Sequence, residues 1–394
     1  MGIEFNNMYM YTLQSNDDQV VILNNKDDMH DAKIDRRIRR LEVDKRLSVN
    51  IAKTQYLCIG RKVCCEVLVV LWNRKKLKNL VEKLEREPFA PNVERGGEIE
   101  EKLIQGCRTF TTTQAIICWG SVVVTVGMST VVTFYKRVTS SDYRNWEFTY
   151  GPLTMLNVSY SPNYEITWLY QIACVTFIGF NHCSIILIMA GILAHASVQF
   201  KILQNNLERI SKNAYTFMIK DGQRIEDEDD AAKISWKYLK QSLDNTISYH
   251  LDILAITTEL EEIFNMLTLT IFVFSLGVMC FLVYHTTLLP LNSIMRLFKA
   301  FTDCMSALAP VFLLCYWSHQ VAHESFEVSK AAYRANFVGS DLKLQKSLAL
   351  IITRSQRPVV LKAGKFFEIS LPTFVWILRT SYSAFMVLKN VNDK

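Results

Sequence analysis

The ten cysteines form no Cys-x-x-Cys pair and no metal-ligand spacing, and most of them sit inside apolar runs. That argues against a disulfide framework or a zinc module and for reduced core or membrane thiols. The HExxH order is also absent. His319 and His323 stand four apart with Glu324 following, but no third ligand is evident, so a helix surface is their expected setting and no metal or cofactor is expected. No convergent His, Asp or Ser constellation supports an enzyme. An inverted repeat with helices broken at matching places, the mark of many transporters, is missing too. A cleavable leader is not expected, because the first thirty residues are polar. Apolar residues, by contrast, are abundant. They make up 50% of the 394 residues, with a net charge of +6. Mean hydropathy is only +0.11, so apolar blocks must alternate with polar ones. The expected fold is all-α, a multispanning helical membrane protein.

Residues 1–56 are polar and include the basic cluster Arg36-Arg37-Ile38-Arg39-Arg40, read as a solvated segment beside a membrane helix. The run Leu57 to Trp72 is short and interrupted by Arg61, Lys62 and Glu66, which makes it the weakest span in the chain. A basic amphipathic continuation follows from Asn73. Gln114 to Tyr135 is 22 residues without charge, enough to cross a bilayer whose core is about 30 Å thick. Ile166 to Phe200 is too long for one perpendicular span and implies tilt or an extension. His182 and His195 within it are read as packing histidines. Phe264 to Leu289 and Leu297 to Trp317 are further spans, the latter carrying Lys299 and Asp303 at i and i+4, where the two could pair. The acidic run Glu226 to Asp230 reads as surface loop, Gln345 to Ile352 as a short amphipathic helix, and Arg357-Pro358 to Gly364 as a break.

Lys plus Arg counts set the orientation. Segments 73–113, 201–263 and 318–365 carry nine, eight and eight, whereas 136–165 and 290–300 carry three and two. The basic connections are expected in the cytosol. That places the single Asn-x-Ser/Thr sequon, Asn157, outside, where it could be glycosylated. The C-terminus is then extracellular, opposite to a G-protein-coupled receptor, and no DRY-like or NPxxY-like sequence stands at the helix ends. Residues 1–56 fit poorly, because alternation places them outside despite nine Lys and Arg.

The last apolar stretch, Phe366 to Leu388, is long enough to span. A helix there puts Thr373, Thr380, Ser383, Val387 and Asn390 on one face and Phe374, Leu378, Phe385 and Leu388 on another. A small, polar stripe on a membrane helix faces protein or water. Helix packing and the wall of a water-filled pore are the two readings. Read with its flank, this end resembles the C-terminal signature of insect odorant receptors. The matching pieces are Cys315-Tyr316-Trp317-Ser318, Ser325, Tyr333, Arg354-Ser355-Gln356-Arg357-Pro358, Leu361 to Phe366, Ser370-Leu371-x-Thr373-Phe374 and Ile377 to Ser383, in order over about seventy residues. The tail of the 136–165 loop, Tyr164-Glu165-Ile166 through Tyr170-Gln171, is similar as well.

The resemblance implies a tuning subunit of a ligand-gated, non-selective cation channel, assembled as a hetero-tetramer with the odorant receptor co-receptor and detecting small volatile odorants. The large insertion of the co-receptor is lacking here. The implied setting is the plasma membrane of an olfactory neuron dendrite, with seven spans of which the first looks missing or replaced. Its divisions are a polar segment 1–56, membrane helices 57–317, cytosolic anchor helices 318–365, and a pore-lining helix with a short tail 366–394. The family's gate positions carry over to Val387 and Val391 with Asn390 beside them, and Thr380 and Ser383 are pore-lining candidates. Pro372 departs from the family's acidic residue and could kink this helix. Odorant-binding candidates, chosen for depth and aromatic or sulfur character, are Met128, Phe134, Phe177, Phe180, Phe301 and Met305. The alternatives are a gustatory-receptor-like channel working without the co-receptor and, less compatible with the charge pattern, a metabotropic chemoreceptor.

Overall fold

The computed structural model describes residues 3–5, 8–10, 26–92, 95, 97–139, 148, 160–222, 233–288 and 294–392. The Asn157 sequon, the acidic run at 226–230 and Pro290 lie outside them. A short antiparallel hairpin, β1 (Ile3–Phe5) and β2 (Met8–Met10), precedes the helices. The bundle is built from α1 (Lys26–Glu85), α2 (Glu98–Thr139), α3 (Asn163–Glu208), α4 (Ile210–Lys220), α5 (Trp236–Leu288) and α6 (Ile294–Arg334). Then come α7 (Leu342–Ser355), the strand pair β3 (Lys362–Ala363) and β4 (Phe367–Glu368), and α8 (Leu371–Asn392).

Four helices are long and apolar enough to cross a membrane: α2, α3, α5 over Trp236–Tyr284, and α6 over Ala300–Arg334. The runs expected from Gln114, Ile166 and Leu297 lie within these helices, and the run from Phe264 does so as far as Leu288, the last residue of α5. Each helix continues well past its apolar run. At about 1.5 Å per residue, the 53 residues of α5 are more than twice the length a bilayer core needs. α8, with Pro372 and Arg379 in its sequence, is not among the four. α1 is one unbroken helix through the weak run at Leu57 and the basic continuation after Asn73.

Burial runs opposite to that of a water-soluble bundle. In α2 and α3 the most apolar 18-residue windows are only 11% and 22% buried, so their apolar side chains point outward. The dense core lies instead where the helices run on into charged sequence. There Phe200, Leu203 and Leu207 of α3 pack with Leu239, Ile253 and Leu260 of α5, Val321 and Val328 of α6, and Leu344, Leu348 and Ile351 of α7. An apolar exterior over one stretch and an apolar interior over the next fit a protein that sits partly in lipid and partly in water.

Polar contacts fasten the water-side half. Arg95, in the α1–α2 connection, binds Glu100 through Nη2 and through Nε (3.2 Å), caps the Pro88 and Ala90 carbonyls, and lies 4.3 Å over the Tyr249 ring. Glu100 also accepts from the Asn92 N–H at 3.0 Å. Tyr249 donates to Gln199, which in turn contacts His195 at 2.9 Å, so His195 is a packing histidine with a hydrogen-bond partner. At the end of α4, Asp221 accepts from Lys237 (2.8 Å) and Tyr238 (2.9 Å), which hold its carboxyl below the usual range. α7 begins at Asp341, whose side chain accepts from the Lys343 N–H at 2.8 Å, and it buries Leu344, Leu348 and Ile351 on one face.

The turn between β3 and β4 holds two residues in the left-handed region, Gly364 (φ +64°) and Lys365 (φ +67°). The positive φ favours glycine at 364, and a Cβ there would also stand 2.9 Å from the Leu269 side chain of α5, which would have to shift. Asn265 of α5 locks the turn by accepting from the Gly364 N–H (3.3 Å) and the Lys365 N–H (2.9 Å). Ser325 of α6 accepts from the Val359 N–H at 2.9 Å.

Candidate functional site

A cavity of about 170 Å³ lies within the bundle, bordered by α1, α2, α3, α5 and α6. Its wall is largely apolar, with the branched aliphatic Val122, Val175, Ile178, Val278 and Leu282 contributing. The space exists because several facing positions carry small side chains, among them Ser121, Thr125, Gly179, Ala307 and Ala309. At Gly179 α3 comes close to α2: an added Cβ would meet Val122 at 3.0 Å. Pro310 of α6 also lines the cavity. Lacking an N–H, it leaves the Ser306 carbonyl without its usual in-helix partner.

Three ionisable residues interrupt this apolar wall: Lys62, His182 and Asp303. Behind them Glu66 is fully buried, at 0% exposure, one helical turn from Lys62. His182 Nδ1 is 2.7 Å from Glu66 Oε2, which assigns its proton to that nitrogen as donor to the carboxylate. His182 Nε2 is then left to accept from Lys62 Nζ at 3.5 Å, and Lys62 also donates to Ser275 Oγ of α5 at 3.2 Å. Glu66 Oε1 stands 4.0 Å from Lys62 Nζ and makes no hydrogen bond among the described residues. Of the charges that weakened the 57–72 run as a span, Lys62 and Glu66 are therefore turned inward and paired, while Arg61 is exposed. Burying a charge inside a membrane bundle is costly unless it is matched, which is why such residues mark functional places.

None of the six odorant-binding candidates lines this cavity. Phe180 packs against Trp119 at 4.8 Å between ring centres, and Phe134 stacks on Trp168 at 6.3 Å. Phe177, Phe301 and Met305 are exposed, and Met128 is half-buried. Bulky side chains fill space or face outward, whereas the cavity opens where side chains are small. The cavity instead brings together Lys62, His182 and Asp303, which in the sequence stand as an interruption of a weak span, a packing histidine and an ionisable residue within a span. The available signal was the i, i+4 placement of Lys62 and Glu66 inside an apolar run. Asp303 lines the cavity, while the side chain of Lys299, its suggested partner, lies outside the described set. His319 is half-buried and His323 exposed on α6, and no group of three potential metal ligands assembles among the described residues.

α8 packs one face on α5 and α6 through Ile377, Ser381 and Phe385, all buried. Phe385 meets Tyr284, and Phe374 meets Phe312 edge-on at 5.5 Å. The opposite face is bare. Trp376, Tyr382 and Ser383 are exposed there, and Val387 is 62% exposed. Thr380 is half-buried, and the side chains of Asn390 and Val391 lie outside the described set. The Ser383 hydroxyl bonds back to the Arg379 carbonyl at 3.0 Å, and that of Thr373 to the Glu368 carbonyl at 2.6 Å.

Long outward-facing apolar helices around a small, mostly apolar chamber define a multispanning membrane receptor. The sequence model of the 7tm odorant receptor family matches residues 62–382, and the chain belongs to that family. Odorant receptor 85c of Drosophila melanogaster is 24% identical over 344 residues, covering 84% of this chain and 79% of its own length. Odorant receptor 10 of Aedes albopictus is 25% identical over 349 residues, covering 86% and 84%. The insect olfactory receptor OR5 from Machilis hrabei, solved in complex with eugenol, shares the fold with a TM-score of 0.72 at 17% identity, covering 88% of this chain and 82% of that one. The chain is thus an odorant-sensing receptor of insect type and not an enzyme.

Proposed function

We propose that this receptor is a tuning subunit of a heteromeric, odorant-gated cation channel, working with the odorant receptor co-receptor in the plasma membrane of an olfactory neuron dendrite. The observation that carries the reading is the chamber of about 170 Å³ bordered by five helices. It is smaller than the ~300–1,000 Å³ of sites that take drug-sized ligands, and suits a small volatile. OR5 is solved with eugenol, and an odorant of comparable kind is the occupant proposed for this chain. The bare face of α8 supports the pore role: a helix packed on one side only is free to meet the same element of neighbouring subunits. On this reading Thr380 and Ser383 face the conduction path, and Val387, Asn390 and Val391 stand at a gate that closes by dewetting.

The test is current recording from oocytes that express the chain with and without an insect odorant co-receptor, with surface labelling of both. Odorant-evoked cation current only in co-expressing cells is expected. Equal current from the chain alone contradicts the tuning-subunit reading and favours a channel of the gustatory type.

A further inference from the structure

Lys62 has a capacity that its partners do not use. Its ammonium carries three donors, of which Ser275 and His182 take two, and Glu66 is held at 4.0 Å, beyond hydrogen-bond reach. Lys62 is 7% exposed and lines the cavity. We propose that the third N–H is the polar anchor of the odorant site, and that the site takes a neutral, carbonyl-bearing volatile (a ketone, aldehyde or ester) whose oxygen accepts from Lys62 Nζ. The proposal rests on the cavity being the odorant site.

Charge balance selects among ligand classes. A carboxylate would enter a wall where Glu66 already matches Lys62 and where Asp303 adds a second negative group. At the Lys62 anchor a protonated amine brings a like charge and no acceptor. A neutral carbonyl meets neither penalty and supplies the acceptor that the ammonium lacks. An alkane fills the aliphatic wall of Val122, Val175 and Ile178 equally well but leaves that donor without a partner. Specificity for an oxygenated ligand then comes from a single buried donor, a discrimination that apolar contact by itself does not provide.

The experiment follows thermal unfolding of the full-length chain, purified with its co-receptor in lipid nanodiscs, against probes of matched chain length: heptanone, heptanal, pentyl acetate, heptane, heptanoate and heptylamine. The carbonyl probes are expected to stabilise at the lowest concentrations, heptane at higher ones, and the acid and amine least. Lys62→Met combined with Glu66→Gln removes both charges together, so no buried carboxylate is left unmatched. It is expected to raise the half-maximal concentration of the carbonyl probes roughly tenfold, the loss typical of one charge-assisted hydrogen bond, and not to weaken heptane, for which methionine adds apolar wall. Val122→Trp fills the cavity and is expected to abolish every shift. Shifts that survive Val122→Trp overturn the cavity itself as the site. Shifts that vanish with Val122→Trp, yet show carbonyl probes no better than heptane or unaffected by the double variant, overturn the Lys62 proposal alone. The acid or amine outranking the carbonyl probes, or no shift from any probe, overturns it as well.

Discussion

At the residue scale, the cluster of Lys62, Glu66, His182 and Ser275 ties three helices together through buried charge. Removing one partner of such a pair strands the other, which typically costs about 3–5 kcal/mol. Removing both costs much less. Glu66→Ala is therefore expected to lower the melting temperature and surface yield far more than Lys62→Met with Glu66→Gln, as read by fluorescence-detected size-exclusion after heating. Equal losses from the two would show that a stranded buried charge is not what sets the cost. Gly364 makes a second prediction. A non-glycine residue in the left-handed region costs roughly 1–2 kcal/mol, and an alanine there also meets Leu269 and Phe366 side chains below 3 Å. Gly364→Ala is expected to destabilise the β3–β4 turn and lower the melting temperature, whereas Lys365→Gly, at the neighbouring positive φ, is expected to raise it slightly or leave it unchanged.

At the element scale, the Arg95 side chain replaces a turn of helix as the fastener between α1 and α2. It satisfies two carbonyls and a carboxylate that is 1% exposed. Arg95→Ala is expected to speed amide exchange across 86–92 and the first turn of α2 while leaving the apolar middle of α2 protected. Uniform exchange along α2 would contradict a local role. α8 carries a different prediction. If Val387 stands at the gate, Val387→Ala weakens the apolar ring and is expected to raise leak current or alter ion block in the complex with the co-receptor. Met386→Ala, also exposed but one position around the helix, serves as control.

The elements also show what could be read before the structure. The runs from Gln114, Ile166, Phe264 and Leu297 were legible because a bilayer imposes one requirement, about 20 apolar residues in a row. Their long extensions were not, because once a helix leaves lipid its apolar residues shrink to a stripe that charged neighbours obscure. α1 is the extreme case. Its inward-facing Lys62 and Glu66 lowered its apparent hydrophobicity at the place where Lys62 lines the cavity and Glu66 backs it. The cavity was illegible for a related reason. Aromatic residues such as Phe177 and Phe301 draw attention in a sequence, but a void is made by what is small, and Ser121, Gly179 and Ala307 carry no distinguishing pattern. The ordered pieces between Cys315 and Ser383 were legible as family marks. Their physical basis is partly visible now: Trp317 donates to Gln114 at 2.9 Å, Ser325 holds the Val359 amide, and Gly364 is pinned by Asn265.

At the scale of the whole molecule, two environments divide the labour. The half with the apolar exterior holds the chamber, and the half with the dense interior, where α3, α5, α6 and α7 meet, holds the helices in register. α5 belongs to both: it contributes Val278 and Leu282 to the chamber and Leu239 and Ile253 to the core, and it packs on α8. A ligand that reshapes the chamber wall thus acts on the same helix that supports α8. The most direct measurement of this arrangement is the odorant-evoked current of Val122→Trp co-expressed with the co-receptor, compared with Val131→Trp on the exposed side of α2, at matched surface levels. Loss of the response in Val122→Trp with a normal response in Val131→Trp is the predicted result. A full odorant response from Val122→Trp would contradict the chamber as the place where odorant binding begins.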